Sequence, residues 1–104
     1  MSIKKQFLKT RPVCKVTFRV EKDQAEALDA ESIHLVGDFN DWDETATPMK
    51  HLKKGDFKAI LDLPIDGQYE FRYLVNGETW VNEDEADKLV ATEYPEAENS
   101  VIIT

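Results

Sequence analysis

The chain has 104 residues, 41% of them hydrophobic and 33% charged, with a formal net charge of −8. This length accommodates a single core, hence one domain, and is too short for a barrel enzyme with its own active-site loops. The acidic balance repels phosphate backbones and anionic lipids, so neither nucleic acid nor a membrane surface is an expected partner.

No apolar stretch approaches the roughly 20 residues of a membrane helix. The opening MSIKKQFLKTRPVCK lacks the continuous apolar segment and small-residue cleavage site of a secretory signal, which makes cytoplasmic residence the expectation. Cys14, the single cysteine, can form no internal disulfide and falls in an alternating run as a buried structural thiol.

In chain order, residues 1–11 read as an N-terminal extension, with 3–10 ambiguous between strand and coil. Residues 13–20 alternate, with Cys14, Val16, Phe18 and Val20 on one side and Lys15, Thr17 and Arg19 on the other, the period of a half-buried strand. Residues 21–31 are a charged connection with room for a helical turn, and 32–37 form a short β-rich run ended by glycine. Residues 48–52 suit a short strand, Lys54-Gly55-Asp56 a turn, and 57–63 a strand with Phe57, Ala59, Leu61 and Leu63 on a common face.

After a turn over residues 64–67, residues 68–75 place Tyr69, Phe71, Tyr73 and Val75 on one side and Glu70, Arg72 and Leu74 on the other. Asn76-Gly77 supplies a hairpin turn, and Trp80-Val81-Asn82 returns as a strand. Residues 83–98, rich in Glu and Asp, read as a solvated or poorly ordered excursion before a closing strand at 101–103. About seven short strands without a sustained helical pattern predict an all-β, immunoglobulin-like antiparallel sandwich.

The hairpin decides where Trp80 points. A two-residue turn pairs Tyr73 with Trp80 and sends the indole into the core; a three-residue loop that pairs Leu74 with Glu78 sets Arg72 opposite Trp80 on the outer face. The second arrangement suits a sugar, whose ring faces stack on flat aromatics and whose rim hydroxyls accept from a rigid guanidinium fork. Trp42, inside the polar run 38–45, has no apolar periodicity to bury it.

Three stretches carry a family resemblance: Val36-Gly37-Asp38-Phe39-Asn40-Asp41-Trp42, then Tyr69 through Gly77 with Trp80 beyond, then Glu98-Asn99-Ser100-Val101-Ile102. In this order they resemble the isoamylase N-terminal, or early-set, domains, which include the carbohydrate-binding modules of family 48. Related domains precede the catalytic parts of glycogen branching and debranching enzymes and occur in the β subunit of AMP-activated protein kinase. The likeness covers roughly residues 12–104.

The resemblance implies an immunoglobulin-like fold and noncovalent binding of α-1,4-glucan, such as glycogen or a maltooligosaccharide, by a standalone module that is not itself an enzyme and uses no cofactor. It assigns Trp42 and Trp80 to the sugar platform, Arg72 to the place of a hydroxyl-contacting lysine, and Asn99, or Ser100 with a one-residue slip, to a further polar contact. A glycoside hydrolase or branching enzyme is the implied companion. Leu89, Val90, Tyr94 and Pro95 are candidates for an apolar residue that threads the glucan. The alternative is an early-set domain that kept the sandwich, lost the sugar site, and uses the acidic 83–98 segment to meet a protein.

The acidic run 38–44 lacks the ligand spacing and glycine of a calcium loop, since Trp42 occupies a ligand position. His34 and His51 stand away from any metal-ligand spacing, and nothing supplies the paired carboxylates across a cleft that glycoside hydrolysis requires.

Overall fold

The computed structural model describes residues 1–92 and 97–104 and resolves them into nine strands, one short α-helix and a single 3-10 turn at Asp38–Asn40. In chain order the strands and α-helix are β1 (Ser2–Phe7), β2 (Val13–Val20), α1 (Lys22–Ala27), β3 (Ile33–Gly37), β4 (Lys50–His51), β5 (Phe57–Pro64), β6 (Gln68–Val75), β7 (Thr79–Val81), β8 (Lys88–Ala91) and β9 (Glu98–Ile103). One antiparallel sheet runs β1-β2-β5-β4, and the other runs β3-β6-β9-β8 with β7 also paired to β6. The result is an all-β, immunoglobulin-like sandwich.

Alternation selects what lies between the sheets. Cys14, Val16, Phe18 and Val20 from β2 meet Phe71, Tyr73 and Val75 from β6, with Ile33, Leu35, Phe57 and Ile102 completing the core. Phe71 stands edge-on to Phe18 and to Tyr73, with ring centroids 5.2 and 5.9 Å apart. Such edge contacts add to the burial term that holds the sandwich together.

The ambiguous N-terminal segment is an edge strand, paired with β2 from Ser2 opposite Arg19 to Phe7 opposite Cys14. Its mixed sequence hid it, because Lys5 takes an inward-facing position opposite Val16 between Ile3 and Phe7. Lys5 reaches Asp87 at 2.7 Å, and the same carboxylate oxygen accepts from the Ile103 N–H at 2.7 Å. One carboxylate thus bridges the two sheets, and the inward lysine discourages further strands from adding to this edge.

Residues 83–98 depart from expectation. They contain β8, paired to β9 from Lys88 opposite Val101 to Ala91 opposite Glu98. They also contain Glu83, which is only 2% exposed. Its carboxylate accepts from the Tyr73 hydroxyl at 2.7 Å and from the Glu85 N–H at 2.8 Å, while its own N–H donates to Ser100 Oγ at 2.9 Å. Burial pushes the Glu83 carboxyl up to about 7, against the lowering pull of those hydrogen bonds and with Asp84 adding to the rise. The Tyr73 hydroxyl is raised well above its usual range by burial and by Glu83. A composition dominated by carboxylates concealed this one, which is satisfied by neighbours rather than by water.

The β6–β7 hairpin follows neither of the two registers expected. Asn76, Gly77 and Glu78 form a three-residue loop closed by Glu78 N–H on the Val75 carbonyl at 3.1 Å, and Leu74, not Arg72, lies opposite Trp80. Asn76 explains the loop. Its side-chain oxygen accepts from the Glu31 and Ser32 N–H groups at 2.7 and 3.1 Å, and its amide donates to the Asp29 carbonyl at 2.9 Å. With Asn76 (φ +55°) pinned to the chain before β3 and Gly77 at φ +71°, the turn opens by one residue on the β7 side.

Candidate functional site

Strand parity places the site on the outer face of the second sheet. Trp80 is opposite Leu74, and Leu74 and Arg72 alternate outward from the core-facing Tyr73. Indole and guanidinium therefore share a face although the residue opposite Trp80 is two positions along β6 from the one expected, a shift that preserves parity. Trp80 is 41% exposed, whereas Leu74 beneath this face is 2% exposed.

The loop after β3 brings Trp42 to the same face, and each residue of Gly37-Asp38-Phe39-Asn40 has a part in it. A Cβ at Gly37 would lie 2.5 Å from the Glu70 carbonyl oxygen and 2.6 Å from Phe71 Cβ, so only glycine lets β3 close on β6. Phe39 turns inward to Phe18 and Phe71, with centroids 6.0 and 6.2 Å away. Asn40 accepts from the Gly37 N–H at 3.0 Å and donates to the Leu35 carbonyl at 2.8 Å and Thr47 Oγ1 at 3.0 Å.

The loop then closes through Trp42 N–H on the Gly37 carbonyl at 2.9 Å. Asp41 and Trp42 both adopt left-handed backbone, at φ +55° and +57°. This is costly for a bulky residue, of order 1 kcal/mol or more, and such strain concentrates at functional sites. The indole N–H donates to Asp38 Oδ1 at 2.8 Å.

From β9, Asn99 reaches Arg72, whose Nε donates to Asn99 Oδ1 at 2.6 Å, and the Asn99 amide donates to Glu70 at 3.1 Å. Trp42, Arg72, Trp80, Asn99 and Thr92 together line an open concavity of about 320 Å³. All four site residues read from the sequence are brought together there. Ser100 is not: it is fully buried and bonds Glu83 N–H and Asn82.

Of the threading candidates, Val90 pairs with Asn99 on the site's side of β8, Leu89 pairs with Ser100 and is 50% exposed, and Tyr94 and Pro95 lie outside the described residues. Thr92 was missed, because its segment read as solvated loop and no motif marks it.

Among the described residues, no group of His, Cys, Asp and Glu side chains is arranged to hold a metal ion. His51 stacks on Phe57 at 4.1 Å, and His34 pairs with Leu74 in β3. No helix among the described residues is long and apolar enough to cross a membrane.

The concavity offers two aromatic rings and a fixed set of polar groups on an open sheet face, the make-up of a surface that takes a flat ligand bearing hydroxyls. The chain belongs to the family described as the glycogen recognition site of AMP-activated protein kinase, whose model matches residues 26–102; these are carbohydrate-binding modules of the family 48 type. It is also similar to the 1,4-alpha-glucan branching enzyme GlgB of Mycobacterium ulcerans (strain Agy99), 38% identical over 72 residues that cover 66% of this chain and 10% of that enzyme. The GlgB of Mycobacterium sp. (strain KMS) is 33% identical over 81 residues, covering 75% of this chain and 10% of the enzyme. The chain thus spans about a tenth of the length of these relatives.

Proposed function

We propose that this chain binds α-1,4-glucan, as glycogen or a maltooligosaccharide, noncovalently and without catalysis. Trp42 and Trp80 stack against pyranose faces, while Arg72 and Asn99 hydrogen-bond to the hydroxyls. The observation that supports this reading most is the convergence of these four residues, from three separate stretches of sequence, on one 320 Å³ concavity. Family membership and the similarity to branching enzymes point the same way.

An open face with two stacking residues binds weakly, with Kd roughly 10 µM to 1 mM. Such an affinity becomes useful when the module holds a glucan-metabolising enzyme, such as a branching enzyme or a glycoside hydrolase, on a polymer that offers many equivalent sites.

Titration with maltoheptaose followed by tryptophan fluorescence tests the proposal. The expected result is a saturable change in the parent protein, lost in Trp80→Ala and Trp42→Ala, together with retarded migration in native gels cast with glycogen. A parent protein indifferent to millimolar maltoheptaose and to glycogen refutes it.

A further inference from the structure

Two carboxylates next to the concavity have no part in the reading above. Asp38 and Glu70 do not line it, yet each is bonded to residues that do. Asp38 accepts from the Trp42 indole through Oδ1 and from the Glu70 N–H through Oδ2, both at 2.8 Å. Glu70 Oε1 accepts from Asn99 Nδ2 at 3.1 Å, and Asn99 Oδ1 accepts from Arg72 Nε at 2.6 Å. A continuous hydrogen-bonded path therefore runs from Trp42 through Asp38, the Glu70 residue and Asn99 to Arg72.

The chemistry of the path is directional. An asparagine amide has nearly the same shape in its two flipped orientations, but an ionised carboxylate only accepts. Glu70 therefore selects the orientation that turns Asn99 Oδ1 to Arg72. Arg72 Nε is then occupied, and the two terminal amino groups of the guanidinium remain to donate elsewhere. On the other limb, Asp38 occupies the only polar atom of the Trp42 indole, so the ring is fixed and offers its faces.

We propose that Asp38 and Glu70 are positioning residues of the glucan face: Asp38 sets the Trp42 indole, and Glu70 sets the Asn99 amide and through it the Arg72 guanidinium, before any sugar arrives. The inference rests on the glucan reading and adds how the face is held ready. A face ordered in advance loses less side-chain freedom on binding, and this matters most for a weak ligand.

The test is a set of maltoheptaose titrations of the parent, E70A, E70Q, N99A and the double variant E70A/N99A. E70A should weaken binding roughly 3- to 10-fold, the effect of about one lost hydrogen bond. E70Q keeps an acceptor oxygen at the same reach and should restore most of the affinity. In the N99A background, E70A should cost nothing further, because its action passes through the amide.

If E70A binds as the parent does, if E70Q fails to rescue in a protein with a parent-like circular dichroism spectrum, or if the E70A and N99A losses add in full, the Glu70 assignment is overturned while glucan binding stands. For Asp38, NMR of the unliganded protein should show the Trp42 indole proton slow to exchange in the parent and fast in D38A. Equal exchange rates overturn that half. A parent protein that binds no maltoheptaose overturns the glucan reading, and this inference with it.

Discussion

Glutamine in place of Glu83 isolates the cost of keeping a carboxyl between the sheets. The side chain is 2% exposed, and burial raises its pKa from 4.5 to about 7. Between those two values the native state binds more protons than the unfolded chain, so stability falls as pH rises from about 4.5 through 7. The full shift corresponds to roughly 3 kcal/mol, and water reaching the neighbouring exposed carboxylates reduces this to about 2 kcal/mol. Glutamine mimics the protonated form: it keeps an oxygen for the Glu85 N–H and carries no charge to desolvate.

Urea unfolding followed by far-ultraviolet circular dichroism at a series of pH values measures the effect. The parent should lose about 2 kcal/mol between pH 5 and pH 8, whereas Glu83→Gln should be nearly flat across that window and at least as stable as the parent at pH 8. Parallel pH profiles for the two proteins refute the reasoning. Below pH 4 both should weaken together. Burial pushes Asp84 and Asp87 up, but it is outweighed at Asp84 by bonds from Gln24 and Glu83 and by the N-terminal amine, and at Asp87 by Lys5 and the Ile103 N–H. Both are held below their usual range, so their contributions disappear as they are protonated.

Further expectations concern the face and the loop that carries it. Gly37→Ala should destabilise the fold by roughly 2–4 kcal/mol in the same urea assay, because the added methyl meets backbone rather than a yielding side chain. Trp80→Ala should cost roughly 1–2 kcal/mol of stability, since the residue is 41% exposed and only its remaining surface is withdrawn from water, while abolishing the maltoheptaose response. Arg72→Lys should weaken maltoheptaose binding several-fold by titration, because an ammonium cannot hold Asn99 and present a planar fork at once. Glucan affinity should be nearly constant between 50 and 500 mM salt, as the ligand is uncharged; a steep salt dependence would instead indicate a charged partner.

Much of this was legible in the sequence because period-2 alternation is a direct image of burial. Residues 13–20 and 68–75 read as strands with the correct inward sides, and the motif order grouped Trp42 and Trp80, which line one concavity. The exact hairpin pairing was not legible, because it depends on Asn76 bonding residues 29 to 32, a contact between segments far apart in the chain. Glu83 was invisible within an acidic run for the same reason: what shelters it, Tyr73 and Ser100, comes from other strands. Asp38 and Glu70 likewise gained a role only when folding placed them beside Trp42 and Asn99.

Both tryptophans of the chain belong to the concavity and none to the interior. Indole emission is therefore a built-in gauge of what touches this surface. Its wavelength should move to the blue when an occupant displaces solvent from the rings and to the red when melting uncovers their shielded parts, while tyrosine, represented in the interior by Tyr73, carries an optical signal of the packed state.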